Sequence, residues 1–279
     1  MSPPDPARLS LNTITAKAWT LAQAIDGCVR HGITGITVWR DRLQEMGVQA
    51  AEKSLKAHGL TVTGLCRGGM FAAADAAGRK AAIADNFRAI DEAQAIGASC
   101  LILVVGGMPP GSKDIAGARE QVKEGIAAIL AHARQAKVPL AIEPLHPMQA
   151  ADRACINTLG QALDVCDALD PGQSGALGVA VDVYHVWWDP QLEAQIARAG
   201  RSRLLAHHLC DWLVPTTDLA FDRGMMGDGI IDLRRIRGLM EGAGYRGYNE
   251  VEIFSARDWW QRDPDEVLTV MKERYAACC

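Results

Sequence analysis

The feature that most constrains the fold of this chain is a pattern that repeats eight times along it. In each repeat, a short apolar run rich in β-branched residues precedes a longer, often Ala-rich stretch with helical spacing. Near-continuous apolar runs are typical of parallel strands buried on both faces, and the helices between them cover those faces. The predicted strands span residues 9–14, 35–39, 61–66, 100–105, 139–144, 177–183, 204–210 and 249–254.

Eight helices are predicted to follow these strands, at about 16–31, 41–58, 76–96, 112–136, 157–169, 190–199, 232–243 and 263–277. No Ser- or Pro-rich linker divides the 279 residues. We therefore predict an α/β fold, a single (β/α)8 TIM barrel, with one domain over residues 1–279. A doubly wound open sheet is the structural alternative. It usually carries a Gly-rich phosphate loop after its first strand, where this chain has NTITAKAW.

Composition and charge exclude several classes of protein. The net charge is −4, with scattered Lys and Arg residues, which argues against a nucleic-acid partner. No apolar stretch approaches the ~20 residues of a membrane span, and MSPPDPARLS does not resemble a secretion signal. The eight cysteines form no CxxC pair and stand in apolar surroundings, which is typical of reduced, buried thiols. We expect a cytoplasmic protein that acts on a small molecule.

Polar residues at the carboxyl ends of the strands are the candidates for chemistry, because barrels of this type build their active sites there. Strands one to four contribute little that ionises (Asn12, Arg40, Asp41 and Arg67), whereas strands five to eight end in Glu143, His146, Asp182, His185, His207, His208, Asp211, Glu250 and Glu252. Such groups are costly in an apolar barrel unless they are paired or bind a metal. Two Glu, one Asp and one His make an oxygen and nitrogen ligand set that suits Mn²⁺, Mg²⁺, Co²⁺ or Zn²⁺.

Strand alternation narrows this set but leaves two choices open. His207 and His208 point to opposite faces of their strand, so only one of them can face the barrel mouth. Glu250 and Glu252 share a face, so periodicity cannot separate them. Glu252 lies nearer the carboxyl end and is the better ligand on position alone, whereas Glu250 would lie one layer deeper and would need a partner.

Five segments together carry a family resemblance: IEPLHP, DVYHVWWD, HHLCD, RGMMGDGIIDL and GYRGYNEVEIF. With them the chain resembles the sugar phosphate isomerase/epimerase family, the xylose-isomerase-like TIM barrels, over nearly its whole length. The resemblance implies one divalent metal, Mn²⁺ above all, held by Glu143, Asp182, His208 and Glu252. It also places His185 beside the substrate and Arg223 against a substrate oxygen or phosphate. The Gly-Tyr-x-Gly signal at 244–247 favours Glu252 over Glu250.

The activity that the resemblance implies is a metal-dependent sugar isomerase or epimerase. It would act on a keto-sugar or related polyol ketone through an enediolate, with Glu143 and Glu252 transferring the proton. The alternative is a lyase that eliminates from an oxidised 3-keto-glycoside or keto-polyol, with a His general base and a small second subunit. A homodimer is the expectation from the family. A DNA-repair endonuclease would need further His ligands on the early strands, and a non-catalytic sugar-binding barrel would not need the full ligand set.

His146 and four tryptophans complete the predicted site. The prolines of EPLHP hold the backbone on either side of His146, which makes it a candidate general base or hydrogen-bond donor to substrate. Trp39, Trp187, Trp188 and Trp212 follow strands two, six and seven, and we predict an apolar wall against which a sugar face stacks, with Trp39, Trp188 and Trp212 as substrate contacts. Arg40, Arg42, Arg67 and Arg223 look dispersed, so we expect a substrate without phosphate.

Overall fold

The computed structural model describes residues 3–279, and within this range eight parallel strands close into a barrel. The strands in chain order are β1 (Leu9–Asn12), β2 (Gly35–Trp39), β3 (Thr61–Gly69), β4 (Leu101–Val104), β5 (Leu140–Ile142), β6 (Leu177–Asp182), β7 (Leu204–Leu209), β8 (Asp211–Trp212), β9 (Arg223–Gly224) and β10 (Asn249–Val251). Strand β10 closes the barrel between β1 and β7, while β8 and β9 form a separate antiparallel pair. The closed barrel confirms the predicted (β/α)8 fold and excludes the open sheet, which would leave two edge strands unpaired.

Helices surround the barrel in the predicted alternation. Within residues 3–279 they are α1 (Leu21–His31), α2 (Arg40–Met46), α3 (Val48–Ala57), α4 (Ala76–Ala95), α5 (Ile115–Ala136), α6 (Leu159–Leu169), α7 (Val183–Val186), α8 (Leu192–Arg203), α9 (Leu233–Gly242) and α10 (Pro264–Cys278). The prediction of one helix over 41–58 is wrong, because Gly47, at φ 84°, separates α2 from α3. The single turn of α7 was not predicted. Among the described residues, no helix is both long and apolar enough to cross a membrane.

The apolar core has two parts. The larger part lies between the strands and the helices, as the continuous apolar runs predict. The smaller part fills the inside of the barrel with mostly small side chains, namely Cys66, Cys100, Ile102, Ala141, Ala180 and Ala206. Because most of these side chains are small, the barrel interior also has space for polar groups.

A layer of hydroxyl groups forms the floor beneath the carboxyl ends of the strands. Thr63 Oγ1 lies 2.8 Å from Ser10 Oγ and 2.6 Å from Thr37 Oγ1, and Thr37 donates to the carboxylate of Glu250. A buried carboxylate is tolerated only where hydrogen bonds compensate its lost hydration. The hydroxyl layer therefore allows Glu250 to lie inside the barrel, below the functional site.

Candidate metal centre

Four side chains from adjacent strands meet at the carboxyl end of the barrel. Glu143 directly follows β5, Asp182 ends β6, His208 lies within β7, and Glu252 directly follows β10. One ligand atom from each lies within 4.8 Å of the others, and all four residues are buried. We call these four residues, which could hold a metal ion, the metal cluster. They converge because β5, β6, β7 and β10 are neighbours in the barrel, so their carboxyl ends share one edge.

Several polar atoms of this cluster have no hydrogen-bond partner in the described chain. They are Oε1 of Glu143 and both ring nitrogens of His208. His208 Nδ1 lies 2.9 Å from Glu143 Oε1 and 3.8 Å from Glu252 Oε2, but the short approach is not aligned as a hydrogen bond. Buried polar atoms without partners are rare in folded proteins. Three carboxylates and an imidazole that face one another in this way fit a divalent cation bound between them.

The structure places the members of both pairs that strand alternation left open in different surroundings. His208 points into the barrel, whereas His207 points outward, where its Nδ1 lies 2.8 Å from Asn249 Oδ1. Burial lowers the pKa of His207 to about 4, so this outer imidazole is neutral. Glu250 lies one layer below Glu252, as its position predicts, with its Oε1 3.5 Å from His208 Nε2.

Arg223 reaches into the cluster from β9. Its Nη1 lies 2.8 Å from Asp182 Oδ2 and 3.1 Å from Glu252 Oε2, and its Nη2 lies 3.0 Å from His185 Nε2. The guanidinium also lies against the rings of Tyr184 and Phe254, at 4.5 Å and 4.9 Å from their centroids. The side chain is therefore placed at the metal cluster, where it can contact an oxygen bound there.

The loop that carries Arg223 folds around one carboxylate. Asp211 accepts hydrogen bonds from the backbone amides of Gly227 and Ile231, at 2.9 Å and 3.0 Å, and so holds the RGMMGDG segment. Gly229 is required in this loop, because a Cβ there would lie 2.1 Å from the carbonyl oxygen of Trp212. The RGMMGDG segment, which carries part of the family resemblance, thus forms the loop that presents Arg223.

Burial and mutual charge shift the pKa values of the cluster in opposite directions. Burial raises the pKa of Glu252 to about 8, despite the opposing charges of Arg223 and His208. Burial disfavours the charged form of His208, but the carboxylates of Glu250 and Glu143 outweigh it and raise its pKa well above the ordinary value. Burial lowers the pKa of His185 to about 3, so this imidazole is neutral at physiological pH.

A cavity of about 300 Å³ opens above the cluster. Five predicted site residues line it, namely Glu143, Glu252, His185, Arg223 and Trp39. Gln149, Arg153 and Tyr184 line it as well and were not predicted. Gln149 and Arg153 belong to the long connection after β5, where the sequence has no periodic pattern that assigns a direction to a side chain. Tyr184 could have been suspected from its place between Asp182 and His185.

Trp188 and Trp212, which were predicted to contact the substrate, are placed differently from Trp39. Neither is among the residues that line this cavity. The Trp188 indole N–H donates to the carbonyl of His185 at 2.8 Å, and the Trp212 ring packs on Tyr184 at 4.6 Å between centroids. The two rings therefore pack the protein behind the cavity wall, and Trp39 alone of the predicted aromatic wall reaches its surface.

His146 lies behind the same wall. Its backbone N–H donates to Nδ1 of His185 at 3.2 Å. Its ring packs between Trp188 and Trp212, at 5.6 Å and 5.1 Å between centroids, and does not line the cavity. The rigid backbone that the flanking prolines predict is thus used to hold His185, and the imidazole of His146 does not face the site.

A family model described as "Xylose isomerase-like TIM barrel" matches residues 25–273 of the chain. No protein with a curated description matches the chain by sequence. Among solved structures, protein SMc04130 from Sinorhizobium meliloti 1021 is 59% identical, with a TM-score of 0.95 and 99% of each chain covered.

Two further solved structures share the fold at low sequence identity. The IolI protein, described as binding a zinc atom, is 16% identical, with a TM-score of 0.83 and 97% of each chain covered. The 3-keto-D-glucoside 4-epimerase YcjR from E. coli is also 16% identical, with a TM-score of 0.73, and 95% of this chain and 99% of that one are covered.

Proposed function

The chain belongs to the xylose isomerase-like TIM barrel family, and we propose that it is a divalent-metal-dependent isomerase or epimerase of a keto-sugar or related polyol ketone. The observation that carries this proposal is the convergence of four buried ligand atoms within 4.8 Å at the floor of an open cavity. Two of these four residues, Glu143 and Glu252, also line the cavity, so they can reach both a metal and a substrate.

The metal would be held by Glu143, Asp182, His208 and Glu252. Such an ion supplies a Lewis acid that acidifies a proton on carbon next to a carbonyl. The three carboxylates and the imidazole suit Mn²⁺, Mg²⁺, Co²⁺ or Zn²⁺, and we favour Mn²⁺ because most of the ligand atoms are oxygens. The description of IolI as a zinc-binding protein supports a divalent ion in this fold.

The carboxylates of Glu143 and Glu252 are the groups we assign to proton transfer. Both carboxylates line the cavity, so each can take a proton from a substrate carbon or return one to it. If the two carboxylates act on one carbon from opposite faces, the outcome is epimerisation. If the proton moves to the neighbouring carbon, the outcome is isomerisation of a ketose and an aldose.

The remaining side chains orient the substrate and exclude water. Arg223 is placed to donate to a substrate oxygen, and neutral His185, whose Nδ1 accepts from the amide of His146, lines the cavity beside it. Trp39, Leu145 and Phe254 give the cavity apolar walls that shed water when a sugar enters. The 3-keto-D-glucoside epimerase with the same fold supports a keto-sugar as the substrate class.

The placement of His146 removes one candidate base of the lyase alternative. Elimination from a keto-glycoside was expected to use a His general base, for which His146 was one candidate, and a base must lie within hydrogen-bond reach of the proton it removes. The ring of His146 instead packs between two tryptophans outside the cavity. Among the described residues, Glu143, Glu252 and neutral His185 are bases that line the cavity, and we assign the proton transfer to the two carboxylates.

The test is proton exchange in D₂O. Purified, Mn²⁺-loaded protein is incubated with a panel of keto-sugars that includes a 3-keto-glucoside, and deuterium uptake and product identity are read by mass spectrometry. We expect uptake of carbon-bound deuterium, which Glu143→Gln and Glu252→Gln abolish. Glu193→Gln, on an exposed residue paired with Arg235, is the matched control and should leave uptake unchanged. No uptake with any sugar would overturn the proposal, and release of an aglycone would favour the lyase.

A further inference from the structure

We propose that Arg67 and Arg153 form a subsite for an anionic group of the substrate, a carboxylate or a phosphate, so that the substrate class is an acidic keto-sugar. This inference rests on the proposed function and adds to it the charge of the sugar. It also revises the expectation of a substrate without phosphate, which depended on the apparent dispersion of the arginines along the sequence.

The two arginines come from separate parts of the barrel and line the same cavity as the metal cluster. Arg67 lies near the carboxyl end of β3, and Arg153 lies in the connection between β5 and α6. The backbone carbonyl of Arg153 accepts from the amide of Gly106 at 3.0 Å, and its guanidinium lies 5.6 Å from the centroid of Phe221. The connection is thus held against β4, with Arg153 on its cavity side.

Neither guanidinium forms an ion pair with an acidic side chain within residues 3–279. Three other arginines that follow predicted strands form ion pairs with acidic side chains. Arg40 pairs with Asp85 at 2.8 Å and with Glu92 at 2.6 Å. Arg42 pairs with Glu45 at 3.0 Å, and Arg223 pairs with Asp182 at 2.8 Å.

Positive charge is therefore in excess on the side of the cavity where Arg67 and Arg153 lie. Among the described residues, the carboxylates that line the cavity are Glu143 and Glu252, and both belong to the metal cluster. Arg67 is exposed, and partial desolvation together with the neighbouring charge of Arg153 lowers its pKa, which indicates that the two positive charges act on each other. An anion between them would remove that repulsion, and guanidinium groups bind carboxylates and phosphates with paired hydrogen bonds.

The experiment compares three ketoses that differ only at the carbon farthest from the keto group. D-fructose, D-fructose 6-phosphate and D-fructuronate are titrated into Mn²⁺-loaded full-length protein by calorimetry. We expect the wild-type chain to bind at least one anionic sugar about tenfold or more tighter than fructose, because hydrogen bonds to charged groups are the stronger ones. The phosphate and carboxylate arms identify which anion fits.

The double variant Arg67→Met/Arg153→Met should reduce this preference to about twofold or less. Arg235→Met, which removes one positive charge from an exposed ion pair in the first turn of α9, should retain the preference. Equal binding of all three sugars, or a preference that survives in the double variant, overturns the subsite. If none of the sugars binds, inorganic phosphate decides, since saturable binding that the double variant loses supports the subsite and any other result overturns it.

The outcome is separable from that of the proposed function. Anion-selective binding without deuterium uptake would leave the subsite standing and overturn the isomerase. Deuterium uptake at equal rates from neutral and anionic sugars, with no difference in binding, would support the isomerase and overturn the subsite.

Discussion

The side-chain amide of Asn12 donates to Oε1 of Glu252 at 3.0 Å, and this bond joins the end of the first barrel strand to the last. The same amide donates to Glu250 at 2.7 Å, and its oxygen accepts from the Trp39 indole at 2.9 Å. Both the nitrogen and the oxygen of the Asn12 amide therefore form hydrogen bonds, and these bonds determine the orientation of the side chain. Asn12 thus acts as a positioning residue for the two carboxylates of β10.

We expect Asn12→Leu, which keeps the side-chain volume, to weaken Mn²⁺ binding about tenfold and to destabilise the chain by about 1–3 kcal/mol, because two buried carboxylates lose a donor. Calorimetric titration and urea denaturation measure the two effects. Trp39→Phe removes the indole N–H that donates to Asn12 together with part of the ring, but it leaves the Asn12 amide able to donate to both carboxylates, so it should have a smaller effect on both quantities. Unchanged metal affinity in Asn12→Leu would show that Glu252 holds its position without this bond.

Glu250 lies behind His208 in the position of a residue that orients a metal ligand. Its Oε1 is 3.5 Å from Nε2, the ring nitrogen on the side away from Glu143. A carboxylate there favours a proton on Nε2 and leaves Nδ1 free to bind a metal, and losing such partners costs about 10–100-fold in metal affinity. We predict that loss for Glu250→Gln. The visible spectrum of the Co²⁺-loaded protein should shift as well, which a purely structural role for Glu250 would not produce.

The sequence was sufficient to predict the fold and the positions that meet at its active end. Strand alternation and barrel closure determine which side chains point inward, and this is why Glu143, Asp182, His208 and Glu252 converge as the family resemblance implies. Side-chain directions in the loops depend on tertiary packing that has no periodic signal. For that reason the inward placement of Arg153 was missed, and the sequence could not separate Trp39, which lines the cavity, from Trp188 and Trp212, which do not.

Metal binding should depend on pH through Glu252 and His208. The pKa of Glu252 is raised to about 8, and that of His208 lies well above its ordinary value, so both groups hold protons that a metal must displace. The apparent affinity for Mn²⁺ should therefore rise with pH up to about 8, by about tenfold per unit for each proton released. Calorimetry in buffers of different ionisation enthalpy counts these protons. An affinity that stays constant between pH 6 and about 8 would show that neither side chain holds a proton in the metal-free protein.

Acid should destabilise the chain through its buried neutral imidazoles. The pKa of His185 is lowered to about 3 and that of His207 to about 4, whereas an unfolded histidine titrates near 6.5. Between these values each of the two histidines binds a proton in the unfolded state but not in the folded state, so its contribution to stability rises with pH and is lost as pH falls below about 6.5. Each histidine contributes a slope of up to about 1.4 kcal/mol per pH unit.

His207→Gln tests this slope away from the metal cluster, because His207 faces outward toward Asn249 and Tyr245. The free energy of unfolding, measured with urea from pH 7 to pH 4.5, should depend on pH less steeply in the variant by about one proton. His58→Gln, on a half-exposed histidine, is the control and should retain the wild-type slope. Equal slopes in all three proteins would show that His207 is protonated in the folded state.

Asp211 should affect substrate binding without touching the substrate. It accepts backbone hydrogen bonds from Gly227 and Ile231 and so holds the loop that presents Arg223. Asp211→Ala leaves these buried amides unpaired, at a cost of about 1–3 kcal/mol, whereas Asp211→Asn keeps the acceptor for Ile231 and should cost less. Because Arg223 then loses its fixed position, we expect Kd for the sugar to rise in the order wild type, Asp211→Asn, Asp211→Ala, while Mn²⁺ affinity changes little. An equal loss of metal and sugar binding would instead indicate that the whole carboxyl end of the barrel had been disrupted.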